Sequence, residues 1–250
     1  MTEVFLGNPP WSSPGYYGVR AGSRWPHLEC QASRYMPFPF FLAYATALLE
    51  KHGFRVRLVD AIAEKIPNSV FIHKMINSGH DLIVLETSTP SFENDLQLVT
   101  QIRRMIGDEP KIALCGPNNL MISKEFLEGH SEIDYVLRGE YEETLLELVQ
   151  SIDKQTSPHK IRGLNFRDDS GKTTVNPDRP LIKNLDSLPW PSRHQLPMMA
   201  YYDEAGGIPQ PSAQLWASRG CPYMCIFCVW PQLVYGGANY RVRKPRDVVD

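Results

Sequence analysis

The sequence predicts an α/β fold built on a doubly wound, five-stranded parallel sheet. Two observations predict it: short apolar runs alternate with segments of helical periodicity through residues 1–152, and most runs end at turn-forming residues. Consecutive β-α units give parallel sheets with helices on both faces. The composition, with 42% hydrophobic and 22% charged residues and a net charge of −2, is that of an ordinary globular protein.

The elements follow one another in strict alternation. The predicted strands are residues 4–6, 55–60, 81–86, 111–115 and 134–137. The predicted helices are residues 40–52, 68–78, 92–106, 123–128 and 141–152. Helix 92–106 has apolar residues at helical spacing, and Gly53 is a plausible C-cap for the first helix.

The residues that follow the strands form a candidate ligand-binding rim. The carboxyl ends of parallel strands meet at one edge of a sheet, where ligands of such folds bind. Small residues there let the backbone approach a ligand closely, although the same residues are also ordinary turn formers. The rim candidates are Asn8, Pro9, Asp60, Ala61, Ser88, Thr89, Gly116, Pro117, Gly139 and Glu140.

The sequence changes character after residue 152. Residues 161–176 predict a β-hairpin with its turn at Asp169-Ser170-Gly171, and the proline-rich residues 177–213 predict a linker across a surface. Residues 214–218 predict a further strand, and the last five residues predict the start of a helix. The expected division is therefore residues 1–152, 153–213 and 214–250.

Three of the five cysteines, Cys221, Cys225 and Cys228, lie within eight residues in a C-x3-C-x2-C pattern. Three thiolates at this spacing can bind a 4Fe-4S cluster and leave its fourth iron open to a small molecule. Zinc is the alternative, but it takes four ligands and the closest upstream histidine is His194. Arg219, with other basic residues around the loop, either neutralises a bound group or forms a solvated face.

The cysteine motif, preceded by Ser-Arg-Gly and with Phe227 before the last cysteine, resembles the signature of the radical S-adenosylmethionine enzymes. The resemblance implies that Cys221, Cys225 and Cys228 bind the 4Fe-4S cluster. It also implies that the open iron chelates S-adenosylmethionine, which the reduced cluster splits to a 5′-deoxyadenosyl radical. Phe227 would lie beside the adenine; plain packing is the alternative for this aromatic residue.

The order of modules is similar to the cobalamin-binding subgroup of that family, and matching stretches include Asn8-Pro9-Pro10-Trp11, Val59-Asp60-Ala61 and Arg138-Gly139-Glu140. The resemblance implies a flavodoxin- or Rossmann-like domain whose rim candidates contact cobalamin. Many such domains have a cobalt-binding histidine where Ile62 stands, so we expect base-off cobalamin without a protein imidazole. Since the family's radical domain is a partial barrel, residues 214–250 are expected to be its truncated start.

The expected function is methyl transfer to, or rearrangement of, an unactivated carbon through a deoxyadenosyl radical, and this fragment alone is expected to be inactive. Two alternatives stay open: a radical oxidative cyclase of a tetrapyrrole, and a non-enzymatic cobalamin- or ligand-binding protein with a zinc-bound cysteine loop. The family implies a small-molecule substrate and an electron donor such as flavodoxin or ferredoxin. The charge balance predicts no nucleic-acid partner, and the sequence predicts no membrane span and a cytoplasmic location.

Overall fold

The computed structural model of the protein describes residues 1–18, 27–29, 35–76, 79–118, 121–168, 170–202, 210–228 and 230–249. Asp169, in the predicted hairpin turn, and residues 77–78, at a predicted helix end, lie outside these ranges. The strands are β1 (Glu3–Asn8), β2 (Ser12–Ser13), β3 (Tyr16–Gly18), β4 (His27–Glu29), β5 (Arg55–Asp60), β6 (Leu82–Glu86), β7 (Lys111–Cys115), β8 (Tyr135–Leu137), β9 (Leu164–Arg167), β10 (Thr173–Val175), β11 (Ser218–Cys221) and β12 (Asn239–Val242). The helices are α1 (Phe40–Lys51), α2 (Asn68–Ile76), α3 (Phe92–Ile106), α4 (Lys124–Gly129), α5 (Glu142–Asp153) and α6 (Pro245–Val249).

The central sheet confirms the five predicted parallel strands and adds two more. Its order is β10-β9-β8-β7-β6-β1-β5, in which the five parallel strands have the order of flavodoxin-like folds. The hairpin expected to follow the sheet instead extends it, because β9 pairs antiparallel with β8 and β10 pairs with β9. This pairing covers the edge of β8, which would otherwise expose unpaired backbone groups.

Helices cover both faces of the sheet because its strands are apolar on both sides. Val4 and Leu6 of β1 lie in the core with α1 and α5, whereas Phe5 lies in the core with α2 and α3. Each such buried side chain contributes about 1.5–3 kcal/mol. Among the described residues no helix combines the length and the apolar character that crossing a membrane requires.

The proline-rich segment is packed onto the first helix and the edge of the sheet. Residues 182–188 contribute apolar side chains to a cluster with Tyr44 of α1. Further along, Gln195 binds the edge strand β5: its Oε1 accepts from the Leu58 amide at 2.9 Å and its Nε2 donates to the Val56 carbonyl at 3.0 Å. One glutamine side chain therefore takes the place of a neighbouring strand.

The strand predicted at residues 214–218 begins later than expected, since β11 starts at Ser218. The amide of Trp216 donates to the Tyr44 hydroxyl at 3.1 Å, and the indole stacks on Phe40 with ring centroids 4.5 Å apart. Residues just before β11 are therefore docked on α1 instead of forming a ladder. β11 pairs antiparallel with β12 in a separate two-stranded sheet.

Candidate functional site

At the carboxyl ends of β1 and β5, a buried polar network surrounds Asp60. Its Oδ1 accepts from Asn8 Nδ2 at 2.8 Å and from the amides of Ile62 and Ala63 at 3.2 Å each, and its Oδ2 accepts from the Tyr201 hydroxyl at 3.0 Å. Burial raises the pKa of Asp60 to about 6, against the opposing effect of these hydrogen bonds. The carboxyl group is therefore held inside the protein by four donors.

This end of the predicted rim is covered by protein. Asn8, Pro9, Asp60 and Ala61 are all buried. Ile62, at the position where a cobalt-binding histidine was considered, is 7% exposed and packs in the core around α1. The structure thus offers an aliphatic side chain, and no imidazole, at this position.

At the carboxyl end of β6, the hydroxyl groups are used to hold the turn into α3. Thr87 Oγ1 and Ser91 Oγ each donate to Asp95 Oδ2 at 2.7 Å, and Ser88 Oγ lies 3.0 Å from Ser91 Oγ. Ser88 is buried, whereas Thr89 is exposed. Of the two rim candidates here, only Thr89 presents its side chain to solvent.

A cleft of about 450 Å³ opens at the carboxyl ends of β7 and β8. Gly116 and Pro117 line one side, Gly139 lines another, and Tyr235 and Gly236, from the segment after the cysteines, close it. The volume is in the range of about 300–1,000 Å³ usual for small-ligand pockets. Three rim candidates therefore border one cavity, and no histidine is among the described residues that line it.

The backbone at Gly116 packs closely against the end of the neighbouring strand β6. Its φ is +110°, and a Cβ there would lie 2.2 Å from the Thr87 carbonyl oxygen. Gly139, at the neighbouring strand end, also has a positive φ of +67°. Glycine fits the conformation at Gly116 because a side chain there would clash with the end of the neighbouring strand, and Gly116 also lines the cleft.

Two glutamates at the start of α5 bind two arginines from the strands that flank the cysteine loop. Arg241 donates from Nη1 and Nη2 to the two oxygens of Glu140 at 2.8 and 2.7 Å. Arg219 Nη2 donates to Glu142 Oε1 at 2.5 Å, and its Nη1 lies 3.7 Å from Glu140 Oε1. Glu140, proposed from sequence as a cobalamin contact, is therefore engaged by arginine.

Arg219 is also enclosed by aromatic rings. Its guanidinium carbon lies 4.7 Å from the ring centroid of Trp216, 5.0 Å from that of Tyr44 and 5.3 Å from that of Phe41. The residue is 3% exposed. Neither of the two roles considered from sequence, a solvated face or direct neutralisation of a bound group, describes this buried ion pair.

Burial raises the pKa of two groups beside this ion pair, the Glu142 carboxyl and the Cys115 thiol. Burial raises the pKa of Glu142, whereas the adjacent Arg219 lowers it. Burial, followed by the charge of Glu86, raises the pKa of the Cys115 thiol well above its ordinary value. Cys115 is a buried core residue, and its burial favours the thiol over the thiolate that binds metals.

The three clustered cysteines lie on a loop that starts at the end of β11. All three are free thiols; Cys225 is exposed, and Cys221 and Cys228 are partly exposed. The amide of Cys228 donates to the Cys225 carbonyl at 3.0 Å, which makes a tight turn. Among the described side chains, no three His, Cys, Asp or Glu groups are gathered around a metal position. Three free thiols on one loop are the kind of ligands that a 4Fe-4S cluster takes, although their sulfur atoms are not gathered around one position in this structure.

Two alternatives for this loop can be compared with the geometry. Phe227 is 88% exposed and takes no part in the core of the first domain, and its place beside the adenine stays a prediction. His194, the candidate fourth ligand for zinc, lies 3.2 Å from Glu50 Oε1 and 3.1 Å from Ser192 Oγ, at the end of α1. It is therefore held away from the cysteines by partners of its own.

Sequence reasoning did not identify the pairing of Glu142 with Arg219 or the role of Tyr201. The acidic run Glu140, Glu142 and Glu143 is typical of a helix start, where negative charge interacts favourably with the helix dipole, and this pattern alone does not indicate a partner. The available signal was that glutamates at the start of α5 and arginines around the cysteine motif carry opposite charges. For Tyr201, in the proline-rich segment, the sequence carried no signal.

Comparison with known proteins finds similarities over the first domain and beyond it. Residues 32–149 match the model of the B12 binding domain. The chain is 35% identical over 191 residues to an uncharacterised methyltransferase of Pyrococcus horikoshii, covering 76% of this chain and 40% of that protein. It is 24% identical to the anaerobic magnesium-protoporphyrin IX monomethyl ester cyclase of Rubrivivax gelatinosus, covering 95% of this chain and 40% of the cyclase.

The fold has a solved counterpart. The radical S-adenosylmethionine methyltransferase TsrM from Kitasatospora setae, solved with cobalamin and a [4Fe-4S] cluster bound, superposes with a TM-score of 0.63 and 20% identity. The match covers 100% of this chain and 45% of TsrM. The fold class and the resemblance predicted from sequence are confirmed, and the chain spans less than half the length of these relatives.

Proposed function

We propose that the complete protein is a cobalamin-dependent radical S-adenosylmethionine enzyme. Residues 32–149 match the model of the B12 binding domain, and a cysteine motif that resembles that of the radical S-adenosylmethionine enzymes follows them in the same chain. One observation carries the proposal. The strands that flank the cysteine loop are bound through Arg219 and Arg241 to Glu140 and Glu142, next to the cleft at the end of β8. This arrangement supports the placement of the two proposed cofactor sites at one edge of the sheet.

Cys221, Cys225 and Cys228 would hold the 4Fe-4S cluster, and Phe227 would lie beside the adenine of S-adenosylmethionine. When bound, the cluster supplies the electron that cleaves S-adenosylmethionine, and cobalamin supplies a methyl carrier. The chain's own part is to supply the three thiolates on a loop whose base is bound to the first domain; S-adenosylmethionine would bind the cluster, and an electron donor such as flavodoxin or ferredoxin would reduce it. We place this chemistry in the cytoplasm, because the cluster needs a reducing compartment.

Cobalamin would bind at the cleft, where Gly116, Pro117 and Gly139 present backbone to it. The volume of the cleft, about 450 Å³, and the glycines at the strand ends that line it support this placement. We propose that cobalt receives no protein imidazole, because Ile62 occupies the relevant position and no described histidine lines the cleft. Asn8, Pro9, Asp60, Ala61, Ser88 and Thr89 stay predicted contacts, and a contact with the Asp60 carboxyl group requires that the Tyr201 hydroxyl leaves it.

Methyl transfer to an unactivated carbon of a small-molecule substrate is the reaction we propose. The similarity to a relative named as a methyltransferase supports it. A radical oxidative cyclase is the second candidate, because the similarity to the cyclase of Rubrivivax gelatinosus extends over 95% of the chain. We propose further that residues 214–250 begin the radical domain and that residues 1–250 alone do not turn over.

The test is turnover by the complete, anaerobically reconstituted protein with S-adenosylmethionine labelled in its methyl group. Label in a product carbon supports methyl transfer, and release of 5′-deoxyadenosine without label in product supports the cyclase. The Cys225→Ala variant is the control and should bind no cluster and release no 5′-deoxyadenosine. Stoichiometric zinc without labile sulfide in the unmodified protein would contradict the proposal and support the zinc-bound, non-enzymatic alternative.

A further inference from the structure

The loop that carries the cysteines is fixed at both of its ends. β11 leads into it and β12 leads out of it, and Arg219 and Arg241 are direct cross-strand partners in this pair of strands. Each arginine lies two residues from the ends of the paired segment, which are Cys221 and Asn239. Whatever holds these two side chains therefore fixes the base of the loop.

Both arginines are held by the same short segment of the first domain. We define the clamp as Glu140, Glu142, Arg219 and Arg241. Arg241 binds Glu140 with two parallel hydrogen bonds, a geometry that fixes orientation as well as distance. The amide of Ile182 donates to the same carboxylate at 3.0 Å, so Glu140 is itself held in place.

The chemistry of the clamp suits positioning better than stability. A buried ion pair often contributes no more stability than apolar residues of the same volume, but its directional contacts specify one arrangement. Glu140 directly follows Gly139, which lines the cleft. The same turn therefore borders the cleft and binds, through its glutamates, the arginines of the two strands that flank the cysteine loop.

We propose that Glu140 and Glu142 are positioning residues, which set the place of the cysteine loop relative to the cleft and do not contact cobalamin. This inference rests on the proposed function and differs from the cobalamin contact predicted for Glu140. Removal of either carboxylate charge would loosen the base of the loop. The strand ends that line the cleft at Gly116, Pro117 and Gly139 would keep their positions, whereas the wall formed by Tyr235 and Gly236 belongs to the loop and would move with it.

The test uses the complete protein, reconstituted with cluster and loaded with hydroxocobalamin. In Glu140→Gln and Glu142→Gln, loss of iron to a chelator should be about tenfold faster or more, as expected for losing a charge-assisted hydrogen bond. The electron paramagnetic resonance spectrum of the reduced cluster with S-adenosylmethionine should change as well. The Kd for hydroxocobalamin is measured on the same samples, and weaker binding is expected only together with faster iron loss, because Tyr235 and Gly236 of the loop line the cleft.

The matched control is Asp134→Asn, which removes a partly buried ion pair of the same domain, between Arg103 Nη2 and Asp134 Oδ2 at 2.7 Å. It should change neither the chelation rate nor the spectrum. If Glu142→Gln fails to fold, Arg241→Lys provides the same readout, because it keeps the charge and loses the two-pronged contact.

Chelation and spectra like those of the control would overturn the inference, as would weaker cobalamin binding by Glu140→Gln with an intact cluster. Those results leave the proposed function standing. Absence of iron and sulfide from the unmodified protein would instead refute the proposed function together with this inference.

Discussion

Replacing Asp60 with asparagine should stabilise the protein at neutral pH. The carboxyl group is buried, and an amide can keep its contacts: the oxygen still accepts from Asn8 and from the amides of Ile62 and Ala63, and the NH2 group can donate to the Tyr201 oxygen. What the substitution removes is the charge. The gain is therefore expected only at pH values where Asp60 is ionised.

The magnitude follows from the pKa of Asp60, which burial raises from 3.8 to about 6. Because the folded state holds the proton more tightly, the stabilising contribution of this group is fully present below pH 3.8 and is lost as the pH rises through about 6. At about 1.36 kcal/mol per pH unit, the loss is about 3 kcal/mol. Asp60→Asn should avoid that loss.

The assay is chemical denaturation of both proteins between pH 4 and pH 7.5. The free energy of unfolding of Asp60→Asn, relative to the unmodified protein, should increase by up to about 3 kcal/mol over this range. Asp153→Asn is the control of opposite sign: the pKa of the exposed Asp153 carboxyl is lowered from 3.8, first by its hydrogen bond from the Thr2 amide, so the charged group stabilises the protein above pH 3.8 and the variant should be less stable by a nearly constant amount over this range. A pH-independent difference, or lower stability of Asp60→Asn at pH 7.5, would refute the reasoning.

Three further substitutions test the local geometry. Gly116→Ala should destabilise the protein by about 2 kcal/mol more than Gly53→Ala, since both glycines have positive φ but only at Gly116 would a Cβ strike backbone, 2.2 Å away; equal unfolding free energies would contradict this. Gln195→Ala should cost about 1 kcal/mol and speed hydrogen exchange at the Leu58 amide, which the glutamine now accepts from; unchanged exchange would show that the side chain does not protect β5. Gly220→Ala, whose Cβ would lie 2.4 Å from a side-chain oxygen of β12, should separate β11 from β12 and weaken iron retention; full iron retention would contradict that.

The helices and strands of the first domain could be predicted because their signals are local. The apolar spacing within residues 92–106 predicts α3 with the bounds that the structure has, and the runs at residues 55–60 and 111–115 do the same for β5 and β7. Their order alone then predicts the parallel sheet and the edge where its strands end.

The remainder depended on partners far apart in the sequence. Arg219 and Glu142 are separated by 77 residues, and Tyr201 and Asp60 by 141. No periodicity encodes such pairs, so Glu140 could be placed on the rim from sequence but its arginine partner could not. The hairpin at residues 161–176 was visible for the same local reason as the helices, whereas its union with β8 was not.

The most direct test of the central claim is the electron paramagnetic resonance spectrum of the complete protein with bound cob(II)alamin. The account predicts binding and cobalt lines without the splitting that an axial nitrogen ligand produces, since Ile62 fills the position considered for histidine. Nitrogen splitting that persists with a corrinoid lacking its own base, or failure of the protein to bind cob(II)alamin, would contradict it.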